Sequence, residues 1–219
     1  MTDALDMTLD ELAAALAPLL PAHAAFDGWS GKALAAAAEQ LGVPADRAAL
    51  AFPGGAPQMI DAWFDSIDRA MAAAFPPDRI AAMKIRARIR DLILFRLESM
   101  RPHREALRRA LATLAMPRHA ATGARLAWRS ADRIWRVAGD NAADFNHYTK
   151  RATLIGVYAS TSLVFLDDES EGLAATTAFL DRRIDDVMRF EKAKARWRQT
   201  AKALPSPTRF LARLRYPAV

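Results

Sequence analysis

The sequence predicts an all-α protein, a helical bundle with a helix-turn-helix-like start and an amphipathic C-terminal helix, on three observations. Its 52% hydrophobic content is inflated by alanine, a strong helix former, while only 9 of 219 residues are glycine. Apolar residues recur three and four apart over long stretches. Proline and glycine punctuate those stretches at Gly42-Val43-Pro44, Phe52-Pro53-Gly54-Gly55 and Pro76-Pro77. The length suffices for one sizeable core, or for a small domain attached to a larger one.

The first segment, Leu9 to Leu20, reads as a short amphipathic helix ended by Pro21. Phe26-Asp27-Gly28-Trp29-Ser30 follows as a turn, and Ser30 caps a helix containing Ala33, Leu34, Ala37 and Leu41. The Gly42 corner leads into a third short helix, Ala45 to Ala51. Three short helices with a glycine corner form a helix-turn-helix pattern. This first quarter of the chain resembles the N-terminal domain of TetR-family repressors. It departs from them where DNA would be read, because Ala45 to Ala51 offers only Asp46 and Arg47. Residues 1 to 75 carry three basic residues against ten acids, a net −7, which leaves +13 on the remainder of a +6 chain. Phosphate neutralisation supplies most non-specific DNA affinity, so the expected reading is an inherited scaffold with no nucleic-acid partner.

From Pro57 the helices lengthen. Ile60, Phe64, Ile67, Met71 and Phe75 make one apolar stripe. Asp78 is expected to cap a helix running to Met100, with Ile80, Met83, Ala87, Leu94 and Leu97 buried and Lys84, Arg86, Arg88 and Arg90 solvated. Pro102 starts a helix to Leu114, and Pro117 separates it from one ending near Trp135. Gly139 suits a left-handed cap and Asp140 or Asn141 can start the next helix, so a tight corner leads into a nearly all-round apolar helix ending at Leu166. There Phe145, Ala152, Ala159 and Leu163 mark an expected core face, with Gly156 permitting close approach of another helix. Asp144, His147, Tyr148 and Arg151 gather on a neighbouring face. The apolar segment 154 to 166 is too short to span a bilayer, which takes about 20 residues. Asp167 to Gly172 forms a loop, and Leu173, Thr177, Leu180, Ile184 and Val187 line another helix.

The tail changes character. From Arg189 to Arg215 there are nine basic residues and one acid, interleaved with Phe190, Trp197, Leu204, Phe210, Leu211 and Leu214. Phe190, Lys194, Trp197, Arg198 and Lys202 are the expected membrane contacts, since basic residues are drawn to an anionic leaflet and inserted aromatics add anchoring. A solvated terminal helix and a single-stranded RNA track are the competing readings.

Little in the chain reads as catalytic. It has no phosphate-binding glycine loop and no nucleophile elbow, and its four histidines are widely spread. Asp144 and His147 resemble half of a helical carboxylate-histidine metal site, but the second half is missing and helix capping by Asp144 is favoured. Asp167, Asp168, Glu169 and Glu171, with Asp181, Asp185 and Asp186, invite a magnesium-diphosphate reading, yet they fall in a loop and on the exposed side of a helix. No cofactor and no metal are expected. The absence of cysteine excludes disulfides and thiolate sites, and the acidic opening residues lead to the expectation of a cytoplasmic protein without a targeting segment.

The runs Asp132-Arg133-Ile134-Trp135, Ala138-Gly139-Asp140, Asp144-Phe145-Asn146 and Tyr148-Thr149-Lys150-Arg151, with Leu154 to Leu166 and Phe179-Leu180-Asp181-Arg182-Arg183-Ile184, closely resemble the COQ9 family of ubiquinone-biosynthesis proteins. The resemblance implies a TetR-like fold without repressor activity, a homodimer through the C-terminal helices and an apolar pocket for an isoprenoid lipid or quinone precursor. It also implies a membrane-contacting amphipathic helix, peripheral to the inner membrane, and a surface that docks the demethoxyubiquinone hydroxylase. Carried across, that surface comprises Asp132, Trp135, Asp144, His147, Tyr148 and Arg151; the family has Trp where this chain has His147. Ile155, Tyr158 and Leu163 are the pocket-lining candidates. Residues 1–55 are then the helix-turn-helix-like part, 56–188 the lipid-binding and dimerisation domain, and 189–219 the membrane-contacting tail. The expected function is a non-enzymatic lipid-binding accessory. A TetR-type ligand-sensing regulator and an isoprenoid diphosphate-processing enzyme are the alternatives.

Overall fold

A computed structural model describes residues 6–140 and 145–203, and among them there is no strand. Thr8 opens α1 (Leu9–Leu16) with a capping box: the Glu11 N–H donates to Thr8 Oγ1 at 3.3 Å and the Thr8 N–H to Glu11 Oε2 at 2.8 Å. Pro21 does not end this helix. It sits in the first turn of a separate α2 (Leu20–Asp27), where its missing N–H would have had no helical partner anyway. The predicted turn thus shrinks to Gly28–Ser30.

Ser30 caps α3 (Gly31–Leu41), and Gly42 closes it at φ +76°, with the Val43 N–H reaching back to the Ala38 carbonyl at 2.9 Å. The third short helix, α4, is Ala45–Ala51, and its Arg47 donates inward to the Met7 carbonyl at 2.6 Å. Trp29 ties this region to the body of the protein. Its indole N–H donates to the Ala106 carbonyl at 3.0 Å, and its ring lies 5.3 Å from that of Trp63.

The predicted stripe of α5 (Ala56–Ala74) is buried at Ile60, Phe64, Ile67 and Met71, and Phe75 follows it inward. Each such side chain contributes about 1.5–3 kcal/mol of transfer free energy. The single helix expected from Asp78 to Met100 is instead α6 (Pro77–Ala81), a break, and α7 (Ile85–Met100), and Asp78 makes no side-chain cap. Arg88, expected to be solvated, spans the break. Its Nε donates to the Met83 carbonyl and its Nη1 to the Ala138 carbonyl, both at 2.8 Å.

Next come α8 (Arg104–Ala115) and α9 (Ala120–Val137), packed closely through Gly123: a Cβ there would lie 2.9 Å from the Leu114 carbonyl oxygen. Gly139, at φ +90°, ends α9, and the Asp140 N–H reaches the Trp135 carbonyl at 2.9 Å in a Schellman arrangement. After the corner α10 (Phe145–Leu166) runs 22 residues; a loop and α11 (Ala174–Ala203) follow. No described helix is long and apolar enough to cross a membrane. The chain divides into two compact units at Leu180 and Asp181.

The face chosen for the core of α10 is the wrong one. Ala152, Ala159 and Leu163 are exposed, whereas Arg151, Leu154, Val157, Thr161, Ser162 and Phe165 are buried. A helix apolar on both sides gives periodicity nothing to choose between. Gly156 is exposed, and a Cβ added there would meet nothing within 4 Å, so the close approach expected at Gly156 belongs to Gly123. Gly123→Ala is expected to destabilise the fold by about 1–3 kcal/mol through overpacking. Gly156→Ala is expected to stabilise it by up to about 1 kcal/mol through helix propensity. Urea unfolding midpoints measure both, and equal shifts in the two variants would contradict this packing.

Candidate functional site

Two polar clusters stand out in a largely apolar bundle. The first is the corner between α9 and α10, where residues proposed for partner docking come together. Arg151 Nε donates to Asp132 Oδ1 at 2.7 Å, and Arg136 Nε donates to the other oxygen of the same carboxylate at 2.6 Å. Asp140 accepts from Lys150 Nζ at 2.7 Å and stands 3.6 Å from Arg151 Nη1. The Trp135 indole N–H donates to the Lys150 carbonyl at 3.2 Å, with the ammonium 5.4 Å from its ring centre. Partial burial pushes the Asp132 carboxyl up, but the hydrogen bonds from Arg151 and Arg136 outweigh it and hold the group below the usual carboxylate range.

This geometry separates the six residues by role. Arg151 is only 1% exposed, so it does not present itself to a partner; it is the internal clamp that fixes α10 against the end of α9. Tyr148 is 61% exposed, and its ring packs 5.9 Å from Trp128 and 5.2 Å from His147. Asp132 and Trp135 are partly covered, and Asp144 lies outside the described residues. Trp128 was missed by sequence reading. It lies seven residues before Trp135, a spacing that places both on one side of α9.

The second cluster was missed altogether. Arg96 of α7 is 0% exposed and pairs with Asp68 of α5, also buried. Its Nη2 donates to Ser130 Oγ of α9 and its Nε to Tyr158 Oη of α10, each at 3.2 Å. Four helices therefore meet on one guanidinium. The available signal was register: Arg96 falls among buried Leu92, Ile93, Leu97 and Met100, and Asp68 among Phe64, Ile67 and Met71. Of the three lipid-lining candidates, Tyr158 belongs to this cluster and is half-buried, as is Ile155, while Leu163 is 61% exposed and does not join them.

Among the tail candidates Phe190 and Trp197 are exposed on α11, near exposed Arg189, Lys192 and Arg196. The side chains of Lys194, Arg198 and Lys202 lie outside the described residues. Among the described residues no group of three or more histidine or acidic side chains is arranged to hold a metal. The loop acids instead have structural work. Asp168 accepts from the backbone N–H groups of Ser170 at 2.9 Å and Thr176 at 2.7 Å and from both their hydroxyls, and Arg108 donates to Asp167 at 2.8 Å.

Removing the clamp in Arg151→Ala leaves Asp132 and Asp140 without their shared cation. It is expected to lower stability by about 3 kcal/mol, read from denaturant midpoints. Acid provides a separate check. Burial pushes the Asp168 carboxyl up, but the hydrogen bonds from Ser170 and Thr176 more than offset it and hold the group well below its ordinary 3.8. A carboxyl whose folded value is depressed stabilises the fold above its unfolded value, and that contribution is lost as pH falls through the folded one. Between about pH 5 and pH 3 the wild type is therefore expected to lose more stability than Asp168→Asn; parallel pH profiles would contradict this.

Comparison with known proteins shows what this chain is similar to. Residues 120–191, from α9 into α11, match the sequence model of the COQ9 family. The mitochondrial ubiquinone biosynthesis protein COQ9 of Rattus norvegicus is 30% identical over 183 residues, and that of Homo sapiens 29% over 191. These alignments cover 81% and 84% of this chain, and the chain spans 59% of the length of either relative. COQ9-B of Xenopus laevis is 38% identical over 100 residues, 46% of this chain and 34% of its own length. In fold, a TetR transcriptional regulator from Nitrosomonas europaea superposes with a TM-score of 0.64 at 23% identity, over 80% of this chain and 97% of the regulator. Residues 120–191 are thus a COQ9-family domain, carried in a chain that is a COQ9 relative with an all-α, TetR-like fold.

Proposed function

We propose that this protein is a non-enzymatic, lipid-binding accessory of ubiquinone biosynthesis that holds an isoprenoid or quinone precursor at a membrane surface and presents it to the demethoxyubiquinone hydroxylase. The observation that carries this reading is the likeness to named ubiquinone-biosynthesis proteins along 81% of the chain, which takes in the α9–α10 corner. Tyr148 and Trp128 supply exposed and half-exposed aromatic area there, the type of side chain that anchors protein interfaces. Arg151, Asp132 and Asp140 give that area a fixed backing.

Two further surfaces support the reading. On α11 exposed Met188, Phe190 and Trp197 alternate with basic residues, the composition of a helix that lies on an anionic bilayer. On α10 the exposed row Ala152, Gly156, Ala159 and Leu163 is an apolar seam at helix-pairing spacing, which suits a homodimer through the C-terminal helices. A regulator reading has less support, because the TetR likeness concerns fold, α4 carries a single cation already bonded to Met7, and the first 75 residues are acidic.

Native mass spectrometry followed by organic extraction is expected to find a stoichiometric isoprenoid or quinone on the purified protein. Repeatedly empty, well-folded protein would count against lipid presentation. Flotation with vesicles containing anionic phospholipid is expected for wild type, with the floating fraction reduced severalfold in Phe190→Ala/Trp197→Ala and at high salt. Equal flotation of that variant would exclude α11 as the anchor.

A further inference from the structure

We propose that Tyr158, polarised by the buried Arg96, is the hydrogen-bond donor that recognises a neutral carbonyl oxygen on the ring of the bound lipid. This deepens the lipid-binding reading given above and rests on it. Tyr158 Oη accepts from Arg96 Nε at 3.2 Å, and the guanidinium carbon lies 5.3 Å from the centre of the phenol ring. Its own proton then points elsewhere, and no side chain or carbonyl among the described residues accepts it. A phenol that accepts from a cation is a stronger donor, and the low dielectric of a bundle interior strengthens the chain further.

Net stability alone does not account for the arrangement. A buried ion pair adds little stability over apolar residues of the same size, so Arg96 and Asp68 gain little net stability for the bundle by being charged. Asp68 and Ser130 already take the Nη1 and Nη2 groups of the guanidinium, leaving Nε to a half-buried tyrosine, the member of the cluster that remains partly accessible. Charge decides what kind of ligand fits. Asp68 neutralises Arg96 in place, so the cluster offers a donor without a net positive charge. It suits an uncharged quinone carbonyl and gives no advantage to a diphosphate or a carboxylate. Arg96 acts through Tyr158 and is a positioning residue.

The test compares decylubiquinone with decylbenzene, which has the same tail on a ring without oxygens, and with geranyl diphosphate. Affinities are measured by equilibrium dialysis on the full chain. In Tyr158→Phe the affinity for decylubiquinone is expected to fall about tenfold, the loss of one hydrogen bond, with decylbenzene unchanged and geranyl diphosphate bound no better than decylbenzene by either protein. The infrared carbonyl band of decylubiquinone on the wild type is expected at lower frequency than in hydrocarbon solution, and closer to the hydrocarbon value on Arg96→Lys. An unshifted band on the wild type overturns the proposal even if the variants fail to fold. So does an equal loss for decylubiquinone and decylbenzene, which would make Tyr158 an apolar contact of the lipid only. Tight binding of decylbenzene with no gain for the quinone overturns the anchor and leaves lipid binding standing. Failure of the wild type to bind either lipid overturns both.

Discussion

The contact between Arg96 and Asp68 is the constraint around which the bundle is arranged. Taking both charges out of water costs several kcal/mol per ion, and that cost is recovered only if α5, α7, α9 and α10 converge closely enough to pair and hydrogen-bond them. Apolar side chains tolerate sliding and exchange, whereas a buried guanidinium accepts one arrangement of its donors. The pair therefore specifies how four helices meet, and the surrounding Leu92, Ile93, Leu97 and Met71 supply the burial that keeps them there.

A second clamp does the same at the edge. Arg151 holds α10 to the last turn of α9 through Asp132, and Gly139 lets the chain double back in a conformation that other residues adopt only with strain. Between the two clamps α10 is oriented as well as placed, with its polar buried groups inward and its smallest residues outward. The long apolar helix is thus a partition with one committed face and one uncommitted face.

Local chemistry was legible in the sequence wherever one residue dictates the backbone. Ser30, Gly42 and Gly139 marked caps and corners that the structure contains, and α4 has the bounds read for it, because capping and left-handed φ are decided within a few residues. Choices made by tertiary packing were not legible. Arg88 looks like a solvated residue of an amphipathic helix yet bridges a helix break, and Arg96, though it shares the register of the apolar stripe, shows nothing in sequence of the partners that let it lie in the core. Nothing local reports that Asp68 and Ser130 wait on other helices. The same holds for α10, where two apolar faces compete, and for Arg151, whose burial follows from two aspartates, one eleven and one nineteen positions away. The candidate site was therefore legible as a region, but not in the division between side chains that face outward and those that support them.

Arg88 spans the interruption between α6 and α7 and also holds the Ala138 carbonyl at the end of α9, so it works as a tie rod between that interruption and the corner that carries Tyr148. A displacement at either end would load that rod, so the helix break and the aromatic surface are held at a fixed spacing by one side chain.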